Sequence, residues 1–313
     1  MKPISTITLK NAVSAIQKLY PLEYADNAWD NTGLLLDSSI PSPSQYNNNN
    51  NNNVDNDNEN NKISILLTID LTQSVVNEAI QNKSNLILAY HPFIFSGIKK
   101  IQPNSNPQHN SILKLIQNNI SVYSPHTSVD SIKNGINDWL VNGSLNFQKN
   151  LINSSNSIQS LKNQPSNNIE GFGRLVSLNT PINLSQIVSN IKKNLNLNHL
   201  QIALANKNRL PNNITDLKSI DISTIAVCAG SGSSVFKQLY DQKIDLYYTG
   251  ELSHHDALYL NEIGSNVIAC NHSNTERGYL SIMKENLFDE LSSSFKIVDI
   301  AIAKTDQDPY QVI

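Results

Sequence analysis

The sequence has 313 residues and a formal net charge of −3, with 23 basic side chains against 26 acidic ones. This length exceeds what one hydrophobic core usually supports, so we expect about two domains and exclude a single small module. The balanced charge provides no cationic surface for a phosphate backbone, which disfavours direct binding to nucleic acid.

Cysteine usage and hydropathy indicate the compartment. The chain has two cysteines, Cys228 and Cys270, and each lies inside an apolar run far from the other, as reduced and buried thiols do. No segment approaches the ~18 apolar residues of a membrane span, and the N-terminus lacks the apolar core of a signal peptide. We therefore expect a cytoplasmic protein without a membrane partner, and a nuclear location also fits this pattern.

Two polar tracts divide the chain. Residues 47–61 are almost entirely Asn, Asp and Glu, so we expect a disordered insert that buries too little surface to fold. Residues 146–168 are rich in Ser and Asn and are predicted to be a linker. On this division, segments 1–145 and 250–313 together form a metal-binding α/β domain, and residues 169–249 form a second α/β domain.

Between these tracts, short apolar runs alternate with amphipathic helical patterns, as in α/β layers with parallel strands. Helical spacing recurs at residues 75–80, 112–116, 135–140 and 184–195. The predicted strands, in chain order, are 63–70, 86–90, 120–123, 200–204, 225–229, 245–248 and 267–270. We therefore predict two three-layer α/β domains, with a metal site between them at the carboxyl ends of the strands.

Five of the seven histidines lie in four short segments, each beginning at or shortly after the end of a predicted strand. Open α/β sheets bind ligands at the carboxyl ends of their strands, so the five imidazoles are predicted to meet in one crevice. A lone histidine there is more often a cap or a solvent-facing side chain, but the repeated placement favours metal binding. The segments are Tyr90–Pro92, His126–Asp130, Ser253–Asp256 and Asn271–Glu276.

The spacing within these segments supports metal ligation. His272 precedes Glu276 by four residues, which places both side chains on one helical face, and His126 precedes Asp130 by the same spacing. With His91 at a strand end, the set offers imidazole and carboxylate ligands, which suit zinc, manganese, iron or nickel better than calcium or magnesium. Asp130 and Glu276 are the candidates for bridging two ions in a two-metal site.

Three further features carry weaker interpretations. His254 and His255 point about 100° apart if helical, so at most one easily faces the crevice, and hydrogen-bonded support of the metal ligands is the predicted role of the pair. The Gly- and Ser-rich loop 229–234 could hold a phosphate through its backbone amides, but it lacks the P-loop lysine and a tight turn is favoured. Trp29 is predicted to be a packing anchor rather than a ligand-stacking ring.

Seven motifs, taken in chain order, resemble the Nif-three-like family, also labelled type-2 GTP cyclohydrolase I. The resemblance runs from about residue 8 to the C-terminus, and the sixth and seventh motifs are most similar to the eukaryotic branch. The motifs are WDNTG at 29–33, YHP at 90–92, HTSVD at 126–130, GFGR at 171–174, CAGSG at 228–232, TGELSHHD at 249–256 and HSNTERG at 272–278.

This resemblance implies two α/β domains, a cyclic homo-oligomer, commonly a hexamer, and one or two divalent ions per chain facing a central cavity. The family's metal ligands then fall on His91, Asp130, His272 and Glu276. Many bacterial members have two adjacent histidines before the proline, and the first of these is Tyr90 here. Either Tyr90 or His126 replaces the missing imidazole, or water does, or a single ion binds tightly.

Three functions remain open from the sequence, because a fold and a site do not define a substrate. The first is a metal-dependent, hydrolase-like enzyme acting on a nucleotide or another phosphate-containing small molecule, with the ion activating water and polarising the substrate. The alternative is a regulatory protein with a structural metal centre that binds a transcriptional regulator, as eukaryotic members of the family are associated with doing. Metal storage or delivery is a third interpretation and requires labile ions.

Overall fold

The computed structural model describes residues 4–40, 62–161, 169–208 and 216–311. The insert predicted at 47–61 lies outside these residues. The strands are β1 (Gly33–Leu36), β2 (Lys62–Thr68), β3 (Leu86–Ala89), β4 (Ser121–Ser124), β5 (Ile152–Asn156), β6 (Gln159–Ser160), β7 (Gly171–Phe172), β8 (Arg174–Asn183), β9 (Gln201–Ala203), β10 (Asp221–Ser231), β11 (Leu246–Glu251), β12 (Asn266–Ala269) and β13 (Ile297–Ile302).

Ten α-helices accompany these strands in the described part of the chain. No described helix is both long enough and apolar enough to cross a membrane. The helices are α1 (Thr6–Leu19), α2 (Gln73–Gln81), α3 (Pro107–Gln117), α4 (Thr127–Ser131), α5 (Ile136–Ser144), α6 (Leu184–Leu195), α7 (Ser233–Phe236), α8 (His254–Glu262), α9 (Asn274–Arg277) and α10 (Leu280–Ser292).

The chain forms two compact units, the first from Met1–Ser128 with Leu280–Gln307 and the second from Val129–Tyr279 with Asp308–Ile313. These bounds group residues 129–145 and 250–279 with the second unit, whereas the sequence-based division placed them in the metal-binding domain. That division into domains stays a prediction.

The first unit is built on a five-stranded sheet in the order β1-β4-β3-β2-β13. Its strands are parallel except for β1, which runs antiparallel to β4 at one edge. Leu66 and Ile87 pack with the apolar faces of α2 and α3, while the alternating residues Ile65 and Leu67 are buried on the opposite face, where α10 contacts β2. Burial on both faces explains why these strands are continuous apolar runs.

The second unit is built on a six-stranded sheet in the order β5-β8-β10-β11-β12-β9. Parallel strands β10, β11 and β12 form its centre, and the strands on either side are antiparallel to their neighbours. Tyr247 and Phe236 pack in a cluster that α7 and α8 cover, and α5 contacts β10 and β8. The α/β fold class predicted from the sequence is therefore confirmed.

The segment predicted as a linker is partly a strand. Residues Ile152–Asn156 form β5, which pairs with β8 at the edge of the larger sheet, and Gln159–Ser160 form β6, which pairs with β7. The Ser and Asn residues of β5 are mostly exposed or half-buried, as on an edge strand, so the segment shows no apolar alternation that sequence reasoning could detect. Residues 162–168 of the predicted linker lie outside the described chain.

Candidate metal centre

His91 follows β3 directly and is held by a carboxylate from the neighbouring strand. The His91 backbone N–H donates to the Ile69 carbonyl oxygen, so the ladder between β2 and β3 extends as far as this histidine. The Nδ1 atom of His91 lies 2.9 Å from Oδ1 of Asp70, which follows the end of β2. Asp70 thus orients the imidazole at the carboxyl edge of the first sheet.

His272 is held in the same manner in the second unit. Its Nδ1 atom lies 2.9 Å from Oε1 of Glu251, the last residue of β11, while His272 itself follows β12. Its Nε2 atom lies 3.3 Å from Oε1 of Glu276, which is in the one-turn helix α9 and is only 2% exposed. The predicted pairing of His272 with Glu276 across four residues is therefore present.

His126 makes a third pairing of this kind. Its Nδ1 atom lies 2.8 Å from Oδ1 of Asp30, whose side chain is fully buried. Burial alone would raise the pKa of the Asp30 carboxyl group, but hydrogen bonds from His126 and Thr127, together with the charge of His126, outweigh burial and lower it. Asp30 is therefore an ionised acceptor for the imidazole.

The three carboxylates favour one imidazole tautomer. A neutral histidine that donates its Nδ1 proton to a carboxylate presents the lone pair of Nε2, which is the arrangement found for metal-bound histidines. His91 in the first unit and His272 and Glu276 in the second each offer one ligand atom of a kind that binds a metal. These three residues could hold a metal ion.

Gly230 leaves the space that the His272 and Glu276 side chains occupy, and Gly250 allows a close approach of the backbone at Gly230 and His272. Gly230, at φ +59°, has no room for a Cβ atom, which would lie 2.7 Å from Oε1 of Glu276 and 2.8 Å from Nε2 of His272. At Gly250, a Cβ atom would lie 2.6 Å from the Gly230 carbonyl oxygen and 2.9 Å from Cα of His272. The Gly230 loop, for which the sequence favoured a tight turn, thus lies against the candidate metal ligands.

Asp130, the fourth predicted ligand, lies in α4. Its backbone carbonyl oxygen accepts a hydrogen bond from the Asn137 side chain. Burial raises the pKa of the Cys228 thiol strongly, and the negative charges of Asp130 and Glu276 raise it further. The Asp130 carboxylate is therefore close enough to the Cys228 thiol to raise its pKa, as Glu276 is. The place of Asp130 among the metal ligands stays a prediction.

The structure places the remaining predicted site residues in two different settings. Tyr90 is buried, with its ring centroid 5.1 Å from that of His91 and 5.6 Å from that of His126. His254 and His255 are exposed at the start of α8, where their rings lie 5.3 Å apart. In their segment, the residue that supports a candidate ligand is Glu251.

Sequence reasoning missed the three carboxylates that hold the histidines. Asp70 and Glu251 each lie 21 residues before the histidine that they contact, one strand earlier in the same sheet. A search for acidic residues at the ends of the neighbouring strands could have found these two. Asp30 could not have been found in this manner, because it lies in a loop 96 residues before His126.

The chain is similar in sequence to known proteins over almost its whole length. NGG1-interacting factor 3 of Saccharomyces cerevisiae is 44% identical over 312 residues, which cover 99% of each chain. Protein NIF3 homolog of Schizosaccharomyces pombe is 38% identical over 94% of each chain. NIF3-like protein 1 of Homo sapiens is 28% identical over 99% of this chain and 93% of the human one.

Solved structures share the fold. Staphylococcus aureus protein SA1388 matches with a TM-score of 0.73 at 23% identity, over 97% of this chain and 99% of that one. Reduced HcgD from Methanocaldococcus jannaschii matches with a TM-score of 0.68 at 21% identity, over 94% and 97% of the two chains. The family model described as Duf34/NIF3 (NGG1p interacting factor 3) matches residues 7–309, and the chain belongs to this family.

Proposed function

We propose that the protein is a metal-dependent, hydrolase-like enzyme whose substrate is a nucleotide or another phosphate-containing small molecule. The observation that carries this proposal is the repeated pairing of a histidine Nδ1 atom with a carboxylate, at His91, His126 and His272. Histidines that serve only as surface or capping groups do not need such a partner, whereas metal-binding histidines almost always have one.

In this proposal one divalent ion would be bound by His91, Asp130, His272 and Glu276. Glu276 supplies a buried negative charge, which favours a dication in a partly desolvated site. The nitrogen and oxygen donors suit zinc, manganese, iron or nickel. Such an ion supplies Lewis acidity, which activates water and polarises a phosphoryl or imine group.

A second ion would need further ligands from the first unit. His126 is suited to this role because its ring centroid lies 5.4 Å from that of His91 and its Nδ1 atom is paired with Asp30. Tyr90 stands where many bacterial relatives have a histidine, so we propose that His126 is the main imidazole for the second ion. Metal stoichiometry distinguishes one ion from two.

The test is element analysis of protein purified without chelator, followed by a screen of nucleotides and phosphodiesters. We expect roughly one to two divalent ions per chain, and metal-dependent turnover that His272→Ala abolishes. The matched control is His199→Ala, because His199 is exposed and is outside the candidate ligand set. Fewer than about 0.2 equivalents after reconstitution with all four metals would reject the metal centre.

A protein-binding function is the second candidate, because the relative from Saccharomyces cerevisiae is named as an interactor of NGG1. On this proposal the metal stabilises a homo-oligomer such as a hexamer, and the protein binds a transcriptional regulator in the nucleus as well as residing in the cytoplasm. If His272→Ala abolishes the cellular phenotype while the oligomer stays intact, the enzyme gains support. If the variant loses the oligomer together with the phenotype, the interaction function gains it.

A further inference from the structure

Two large aromatic side chains lie exposed beside the histidines of the first unit. Trp29 is 54% exposed and Phe95 is 51% exposed, and their ring centroids lie 6.2 Å apart at an interplanar angle of 42°. The Trp29 ring also meets His126 edge-on at 5.8 Å. The sequence favoured a packing anchor for Trp29, but more than half of its surface is open to solvent.

These rings form a continuous series with the candidate metal ligands. The centroid of His126 lies 5.4 Å from that of His91, so Trp29 is two ring contacts away from a candidate ligand and Phe95 is three. A ligand of nucleotide size that is bound at His91 by its anionic group can therefore reach Trp29 with the rest of the molecule.

The backbone that carries Trp29 is held in place. The Trp29 indole N–H donates to Oδ2 of Asp26 at 3.0 Å, and Oδ1 of Asp26 accepts from the Ala28 backbone N–H at 3.2 Å. Asp30, the next residue along, is fixed by His126 and Thr127. Because its N–H is already bonded to Asp26, the indole offers a ligand its faces rather than a hydrogen bond.

The loop that carries Phe95 is held by side chains from two other segments. Asn31, two residues after Trp29, donates from its side-chain amide to the Ile94 carbonyl oxygen, and Gln108 donates to the Phe93 carbonyl oxygen. The two aromatic rings are therefore linked to each other through Asn31 as well as by proximity. Rings carried on backbone segments that side-chain hydrogen bonds hold in place lose less freedom when a ligand binds them than rings on unsupported loops do.

From this geometry we infer that Trp29 and Phe95 bind the planar heteroaromatic ring of the substrate, while its phosphate lies at the histidines. The inference rests on the proposed function and narrows its substrate class, because a sugar phosphate has no aromatic ring to stack on these residues. Stacking on aromatic side chains is tolerant of ring identity, since every base has a π-face. The pair thus selects for an aromatic ring and leaves its identity to other contacts.

The test is calorimetric binding to the full-length, zinc- or manganese-loaded protein with two probes, adenosine 5′-monophosphate and ribose 5-phosphate. The two share the phosphate and the sugar, and adenosine 5′-monophosphate alone has the base. We expect it to bind roughly 5- to 100-fold more tightly than ribose 5-phosphate, as stacking on two rings predicts. In the double variant Trp29→Leu, Phe95→Leu this ratio should fall to about 1, with the affinity for ribose 5-phosphate unchanged.

Phe288→Leu is the matched control, because Phe288 is also about half exposed but lies in α10. It should keep the wild-type ratio. Equal binding of the two probes to the wild-type protein, or a ratio that survives the double variant, would overturn the inference and leave the proposed phosphate-binding function standing. If the metal-loaded wild-type protein binds neither probe, the proposed function fails and the inference fails with it. A smaller oligomer with an unchanged ratio would show instead that the rings contact another copy of the chain.

Discussion

The two units contain the same structural device, a strand, a helix and a second strand that bring an acidic residue and a histidine together. In the first unit β2, α2 and β3 place Asp70 and His91 at adjacent strand ends, and in the second β11, α8 and β12 do so for Glu251 and His272. The acid precedes its histidine by 21 residues in both, and both helices have nine residues. Parallel strands joined by a helix bring their carboxyl ends to one edge of the sheet. A short segment of the chain is therefore enough to place a carboxylate beside an imidazole and orient it.

The two devices differ in the segment on the C-terminal side of the histidine. In the second unit His272 leads into α9, which adds the buried carboxylate of Glu276 one turn later. In the first unit Pro92 prevents helical continuation, and the chain instead forms the loop that carries Phe95. On the proposed function, the second unit adds the buried carboxylate for the metal, and the first unit adds the surface for the organic ligand beside its own histidines.

The largest effect on metal affinity is expected at Glu276, which the second device has and the first lacks. Glu276→Gln should lower metal affinity by more than about 100-fold, above the range for loss of a supporting group, because the amide keeps the size of the side chain but removes a buried charge. His254→Ala should leave the affinity almost unchanged, since His254 is exposed at the start of α8. Metal titration of both variants makes the comparison. The reverse order would mean that the segment containing His254 provides the ligands.

Replacing the acidic residue that both devices share should lower metal affinity less than Glu276→Gln does, and by a similar factor in the two units. Asp70→Asn and Glu251→Gln should each lower metal affinity about 10- to 100-fold, because each removes the carboxylate that orients a histidine. Asp241→Asn, at an exposed position of the second unit, serves as the control for loss of one negative charge. Competition with a chromogenic chelator measures all three. If only one of the two variants weakens binding, the repeat is structural in one unit and functional in the other.

Comparing alanine substitutions at two glycines distinguishes a steric clash with the candidate ligands from backbone strain. Gly230→Ala and Gly264→Ala both place a side chain at positive φ, which costs about 1–2 kcal/mol of stability in each variant. At Gly264 nothing lies within 4 Å of the added Cβ atom, whereas at Gly230 it meets His272 and Glu276. We expect similar falls in melting temperature and a loss of metal affinity for Gly230→Ala alone. Unchanged metal affinity in Gly230→Ala would argue against ligation by this pair.

The smallest effects are expected from removing the side chains that cap the N-termini of α8 and α2, and they concern stability. The Ser253 hydroxyl accepts from the Asp256 backbone N–H at 3.1 Å, and the Thr72 hydroxyl accepts from the Val75 N–H at 3.4 Å. Replacing either by Ala should cost about 0.5–2 kcal/mol of unfolding free energy, with the shorter bond of Ser253 at the upper end. Denaturant titration measures both. An effect on metal affinity as large as that of Glu251→Gln would contradict a purely capping role for Ser253.

Much of the fold could be predicted because its strands are buried on both faces. Strands such as β2 and β12 are short apolar runs, and α6 matches the predicted 184–195 residue for residue. The polar edge strand β5 was missed, because its stability comes from pairing with β8 rather than from its own side chains. Local pattern reveals burial, but it does not reveal pairing between segments distant in sequence.

The same limit applies to the site. His91, His272 and Glu276 could be chosen from their positions after strands and from helical spacing, and each offers a ligand atom for a metal. Asp30 was beyond reach because its contact with His126 depends on how a long loop returns to the sheet. The exposure of Trp29 was likewise hidden, since a tryptophan in a turn gives the same sequence pattern whether its ring is covered or open.

The burial of both cysteines makes them reporters of local opening. Cys228 lies in β10 and Cys270 follows β12, so both thiols belong to the second unit. Burial raises the pKa of Cys270 to about 12 and that of Cys228 further, so neither forms the thiolate that alkylating reagents attack at neutral pH. Because the chain has two cysteines in all, the rate of iodoacetamide modification follows the opening of the second unit alone.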